Sequence, residues 1–123
     1  MFSLSERHRY FLYRTPTDMR KVFDGLSGLV HNELGMNPLS GDVFIFINRG
    51  RNRMKLLTWE QGGFVLYYKR LESGRFEYPA NSQNSQSAII TWDKLMLIVK
   101  GISLKSIKQR KRFSLSTTVK KRS

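Results

Sequence analysis

No cysteine occurs among the 123 residues, which excludes disulfides and thiolate-bound zinc and leaves the redox compartment open. Histidine is nearly as scarce. His8 and His31 stand alone, with neither H-x-x-x-H nor H-E-x-x-H spacing, so a metal site would have to be built from carboxylates. No run approaches the roughly 18 apolar residues that a membrane span needs, and residues 1–10 hold no apolar core of a signal peptide. A soluble cytoplasmic protein is the expectation. Gly-x-x-x-x-Gly-Lys is missing, as is any serine set in a nucleophile elbow. Acidic residues are few, nine against 22 Lys and Arg, for a formal net charge of +13.

That charge is unevenly spread. Lys105, Lys108, Arg110, Lys111, Arg112, Lys120, Lys121 and Arg122 follow one another with no acid among them. The first 104 residues carry the other 14 cations and all nine carboxylates, a net of +5. A polyanionic partner, nucleic acid first, follows more securely for the tail than for the body. An anionic membrane surface ranks well below, because the tail lacks a strong amphipathic pattern. The length fits one domain with a modest core, at 5–104, followed by a basic tail at 105–123 that is expected to be disordered without a partner.

Within the body, residues 9–14 are aromatic and branched enough for a first strand. Thr15 fits a helix N-cap, with Pro16 at the first helical position and Asp18 closing the capping turn. Met19, Val22, Phe23, Leu26, Leu29, Val30 and Leu34 recur at spacings of three and four, ending at Gly35. Gly25 and Gly28 suggest close packing of this helix on a sheet. Residues 43–48, 53–60 and 64–70, joined by glycine-containing links, read as an antiparallel meander. Its first strand is apolar on both faces and therefore central. Residues 75–78 suggest a short strand, 81–87 a polar loop, and 92–100 a second helix with Thr91 as cap and Gly101 as stop. The fold class is α+β: a small antiparallel sheet packed by two helices, with a basic tail.

Three basic constellations stand out. At the hairpin tip 48–55, Arg49, Arg51, Arg53 and Lys55 surround a tight turn, where guanidinium groups could reach phosphates or enter a groove. A turn kept polar for solubility is the plain alternative. Lys69, Arg70 and Arg75 flank Glu72, so they form either a phosphate-binding edge or an ion-pair cluster of little energetic weight. Arg20 and Lys21 lie off the apolar face of the first helix, where a cation near the N-terminus invites an external anion; the favoured reading is that Arg20 pairs with Asp24 four residues on. Tyr67, Tyr68 and Trp59 could stack on unpaired bases, though alternating strand aromatics more often fill a core. In the tail, Lys108, Arg110, Lys111 and Arg112 are the candidate contacts. The carboxylates show no pattern of convergence that would make a two-metal site, and neither catalysis nor a cofactor is expected.

The motifs also carry a likeness. Pro-Thr-Asp-Met-Arg-Lys-Val-Phe-Asp-Gly at 16–25, Ser-Gly-Asp-Val-Phe-Ile-Phe at 40–46, the run from Gly63 through Lys69-Arg70-Leu71-Glu72-Ser73-Gly74-Arg75-Phe76, and Gly101-Ile102 occur in order. Together they make the chain resemble the small TnpB-type accessory proteins of bacterial insertion sequences of the sixty-six family, over roughly residues 8 to 106. The resemblance implies a role in transposition beside a separate transposase, while the charge and its placement point to DNA as a further partner; no small-molecule substrate is expected. The leading expectation is a non-enzymatic, DNA-associated accessory factor; a protein adaptor of the transposase is the alternative, and a metal-dependent nuclease is the least supported.

Overall fold

The computed structural model describes residues 4–79 and 86–101. The order of elements is β1 (Tyr10–Tyr13), α1 (Phe23–Asn32), β2 (Val43–Ile47), β3 (Arg53–Glu60), β4 (Gly63–Arg70), β5 (Ser87–Ile90) and α2 (Trp92–Val99). The five strands form one sheet in the order β4-β3-β2-β1-β5. The α+β class and the β2–β3–β4 meander are as expected. The sheet, however, is mixed rather than antiparallel: β1 runs parallel to β2, with Phe11 opposite Phe44. The cause is the intervening helix, because a helical crossover returns the chain to its starting edge and launches the next strand in the same direction.

β2 is central and buried on both faces. Val43, Ile45 and Ile47 join Leu12, Met54, Leu56, Leu95 and Ile98 on the α2 side. Phe44 and Phe46 join Phe11, Tyr13, Leu57, Leu26 and Val30 on the α1 side. The period-two alternation of one strand thus divides the core into two layers. α2 matches its expected span, with the Thr91 hydroxyl accepting a hydrogen bond from Lys94 N at 3.2 Å.

α1 begins seven residues later than the capping pattern suggests, and its N-cap is Val22 rather than Thr15. Residues 15–22 are irregular because tertiary bonds claim their backbone. Thr17 N donates to Ile47 O at 2.9 Å. Lys55 Nζ donates to Met19 O and Lys21 O at 2.7 and 2.8 Å, carbonyls that would otherwise accept bonds inside a longer helix. Val22 and Phe23, expected in the core, are consequently 50% and 42% exposed. Gly25 makes room for Lys21, not for the sheet: a Cβ there would lie 3.1 Å from the Lys21 stem.

Two further expectations change. Residues 75–78 form no strand; Phe76 leaves the loop to enter the core, tied by Phe76 N donating to Arg51 O. β5 was not foreseen. It adds antiparallel to β1 at the edge, with Ile90 buried and Ile89 exposed. Among the described residues no helix is long and apolar enough to cross a membrane. The expected tail at 105–123 lies outside the described residues, as does most of the loop at 81–87.

Candidate nucleic-acid interface

The mixed topology sorts charge between the two ends of the sheet. The C-terminal ends of β1, β2 and β4 meet the N-terminal ends of β3 and β5, as the pairings Tyr13 with Ser87, Ile47 with Met54 and Arg53 with Arg70 require. Arg14, Arg49, Arg51, Arg53, Lys69, Arg70 and Arg75 all fall at or just beyond this end. Asp42, Glu60 and Asp93 belong to the other end, where both Asp42 oxygens accept from Arg9 at 3.0 and 2.8 Å. The two basic constellations read separately in the sequence therefore lie at the same end of the sheet, with Arg53 and Arg70 on the α1 face and Lys69, opposite Met54, on the α2 face. The described residues end there too: a Cβ on Gly74 would stand 3.7 Å from Gly101 O.

The hairpin tip is firmly built. Asn48 Oδ1 accepts from Asn52 N and Arg53 N at 3.0 and 2.9 Å, and Asn48 Nδ2 donates to Asn52 Oδ1 at 2.8 Å. Leu71 N donates to Asn52 O at 2.8 Å, which seats the loop after β4 against the tip. Arg51 holds a left-handed backbone, φ 60°, and its guanidinium lies 5.1 Å from the Tyr78 ring centroid, with Arg14 at 5.9 Å from the same ring. Burial pushes the Tyr78 phenol up, and the two neighbouring guanidinium groups partly oppose the shift.

The remaining predicted residues differ in setting. Arg53 and Arg70 stand directly opposite each other on paired strands, a like-charge arrangement that is ordinarily unfavourable. Arg70 is partnered by Glu72, with Nη2 to Oε2 at 3.0 Å, on the exposed surface. Arg49 and Arg75 are exposed, Lys69 is half-buried, and none of these three, nor Arg53, has a carboxylate ion-pair partner among the described residues. Lys55 is turned inward. Only 4% exposed, it holds the 19–21 segment through the two carbonyls and approaches the Tyr68 ring at 4.9 Å, so its ammonium serves the fold. Burial lowers its pKa, and the charge of Asp18 works against that lowering. Lys108, Arg110, Lys111 and Arg112 lie outside the described residues.

Arg20 pairs with Asp18 rather than Asp24, through Nη2 to Oδ2 at 2.7 Å and backbone N to Oδ1 at 2.9 Å. These hydrogen bonds hold the Asp18 carboxyl down at about 2. Between this loop and the hairpin tip runs a groove of about 400 Å³, lined by Asp18, Arg20, Arg49, Arg53 and Tyr68, among others. Sequence reasoning missed Arg14 as part of the surface. Its signal appears only once β1 is known to run parallel to β2, which brings the residue after β1 level with the end of β2. Among the described residues no three His, Asp or Glu side chains gather as a metal site would need.

The architecture is thus a small α+β domain with one helix packed on each face of its sheet, a cation-rich end, and no cluster of three potential metal ligands among the described residues. The family of the IS66 Orf2-like proteins, TnpB of IS66, matches residues 8–109, and the chain belongs to it. It is accordingly an accessory protein of an insertion sequence of that type. It is 28% identical over 110 residues to the uncharacterized protein y4jC of Sinorhizobium fredii (strain NBRC 101917 / NGR234), covering 89% of this chain and 92% of that one. It is 34% identical over 80 residues to the uncharacterized protein y4hO of the same organism, covering 65% and 70% of the two chains. No solved structure matches the chain significantly.

Proposed function

We propose that the protein is a non-enzymatic, DNA-associated factor that acts with the transposase of its element. In this reading the cation-rich end of the sheet meets the phosphate backbone. Family membership supports the setting in transposition. The association with DNA rests on one observation above all: Arg53 and Arg70 face each other across paired strands, with Arg49, Lys69 and Arg75 at the same end of the sheet and without carboxylate ion-pair partners among the described residues. A surface that concentrates like charge at a cost to its own stability is well suited to an anionic partner. Arg49, Arg53, Lys69, Arg70 and Arg75 are the proposed contacts of the folded domain, with Arg51 at the margin. Lys108, Arg110, Lys111 and Arg112 extend them along the chain. Lys55 is omitted because its ammonium is already bonded.

A second reading, a protein adaptor of the transposase, is favoured by the exposed apolar pair Val22 and Phe23 at the start of α1. Anisotropy titrations with the element's terminal repeat and with a scrambled duplex, each at two salt concentrations, separate the readings. The DNA reading expects binding that falls steeply with salt. Absent binding to both duplexes, with the transposase still captured, would leave the adaptor reading in its place. The non-enzymatic part rests on the dispersal of the carboxylates. Supercoiled plasmid incubated with the protein and Mg²⁺ should stay intact, and nicking abolished by one carboxylate substitution would contradict it.

A further inference from the structure

The groove beside the hairpin tip combines two chemistries that phosphate binding alone does not require. One wall carries Arg49 and Arg53, which have no carboxylate partner among the described residues; another presents Tyr68, 49% exposed although it lies on a strand. Lys55 Nζ lies 4.9 Å from the centroid of that ring and is itself buried, so the ring is held from within and its exposed part faces the groove. The one carboxylate in the lining, Asp18, is neutralised by Arg20 at 2.7 Å. A π-face beside two guanidinium groups matches a base joined to its phosphate. At about 400 Å³ the space falls in the lower part of the range for single small ligands, about 300–1,000 Å³. It is far too small for a duplex.

We propose that this groove takes one unpaired nucleotide of a DNA strand, with the base stacked on Tyr68 and the phosphate held by Arg49 and Arg53. The inference rests on the DNA reading above and sharpens it: the protein prefers single-stranded or opened DNA, because a base still in a duplex stack cannot offer its face to Tyr68. Arg49 and Arg53 would keep the strand's register, and Tyr68 would discriminate unpaired from paired.

The test compares full-length wild type, Tyr68→Ala and Tyr68→Phe on a labelled oligothymidylate of about 12 nucleotides and on a duplex of equal length. About 200 mM salt weakens contacts made to phosphate alone. Loss of one stacked base weakens binding about 5- to 150-fold. Tyr68→Ala should show that loss on the single strand and less than about a twofold change on the duplex, while Tyr68→Phe stays near wild type. Equal effects on both DNAs, or none, overturn the inference, and duplex binding that persists in that case leaves the broader DNA reading standing. Failure of wild type to bind either DNA overturns both. Should Tyr68→Ala fail to fold, photocrosslinking of wild type to an iodouridine-substituted strand decides. A crosslink at Tyr68 supports the inference, and crosslinks confined to other residues overturn it. Competition by thymidine monophosphate as effective as that of the oligonucleotide would also overturn it, since the site would then serve free nucleotides.

Discussion

Replacing Lys55 by Met probes the contact that most shapes the candidate site. The side chain keeps its length but loses two charged-donor hydrogen bonds, to Met19 O and Lys21 O, each worth about 1.5–3 kcal/mol. It also loses the approach to the Tyr68 ring, about 1 kcal/mol in a partly exposed setting. Against this, an ammonium need no longer be taken out of water, a relief of several kcal/mol. The released carbonyls belong to a half-buried and an exposed residue and can be rehydrated if the loop moves. The opposing contributions nearly cancel, leaving a net destabilisation of about 1–2 kcal/mol, or a fall in Tm of about 4–16 °C for a domain of this size. The damage should concentrate in residues 17–22, seen as new protease sensitivity there. Burial lowers the Lys55 pKa, so the unfolded chain holds that proton more tightly. Wild-type stability should therefore rise with pH between the folded pKa and 10.5, a component that the Met variant lacks. An unchanged Tm with an equally protected 17–22 segment would refute the role given to Lys55.

Three other outcomes follow from the same geometry. Gln61 sits at φ 50° in the two-residue turn between β3 and β4, so Gln61→Asn should stabilise by about 0.5–1 kcal/mol in a urea titration; a loss of stability would contradict the turn. Asp18 should titrate by NMR at about 2 and return toward the ordinary carboxylate range in Arg20→Ala. Its contribution to stability should be present above pH 3.8 and lost as pH falls through about 2, and an unchanged midpoint in Arg20→Ala would dismiss the pairing. Leu26, fully buried under α1, should cost about 2–5 kcal/mol when cut to Ala, measured by chemical denaturation; a smaller loss would mean that α1 is loosely docked.

Local periodicity made much of this fold legible. β2 announced its central place through apolar residues on both faces, and α2 through its cap, apolar spacing and terminal glycine. Where local signals compete with distant ones, the sequence misleads. Thr15, Pro16 and Asp18 form a persuasive helix start, yet Lys55, 34 and 36 positions along the chain from its two carbonyl partners, claims the backbone that this start would use. β5 is short, with a single buried residue, too little pattern to mark a strand. The direction of β2 was implicit in the strand–helix–strand order, and its consequence is larger than a label. Parallel pairing sets Arg14 beside the hairpin tip and makes one cationic end out of residues that look scattered. Tyr68 shows the limit from the other side: strand alternation suggests a core aromatic, and only the edge position of β4 reveals its exposure.

The central claim, that the cation-rich end of the sheet engages DNA phosphates, is tested most directly by the salt dependence of duplex binding in Arg49→Gln/Arg53→Gln/Arg75→Gln. None of the three has a carboxylate ion-pair partner among the described residues, so each should alter stability by under about 0.5 kcal/mol. Arg51 is left in place because its stack on Tyr78 belongs to the fold. The account predicts weaker binding at every salt concentration and a log–log slope shallower by about one unit for each arginine that contacts a phosphate. A folded variant that binds with wild-type affinity and an unchanged slope would contradict it.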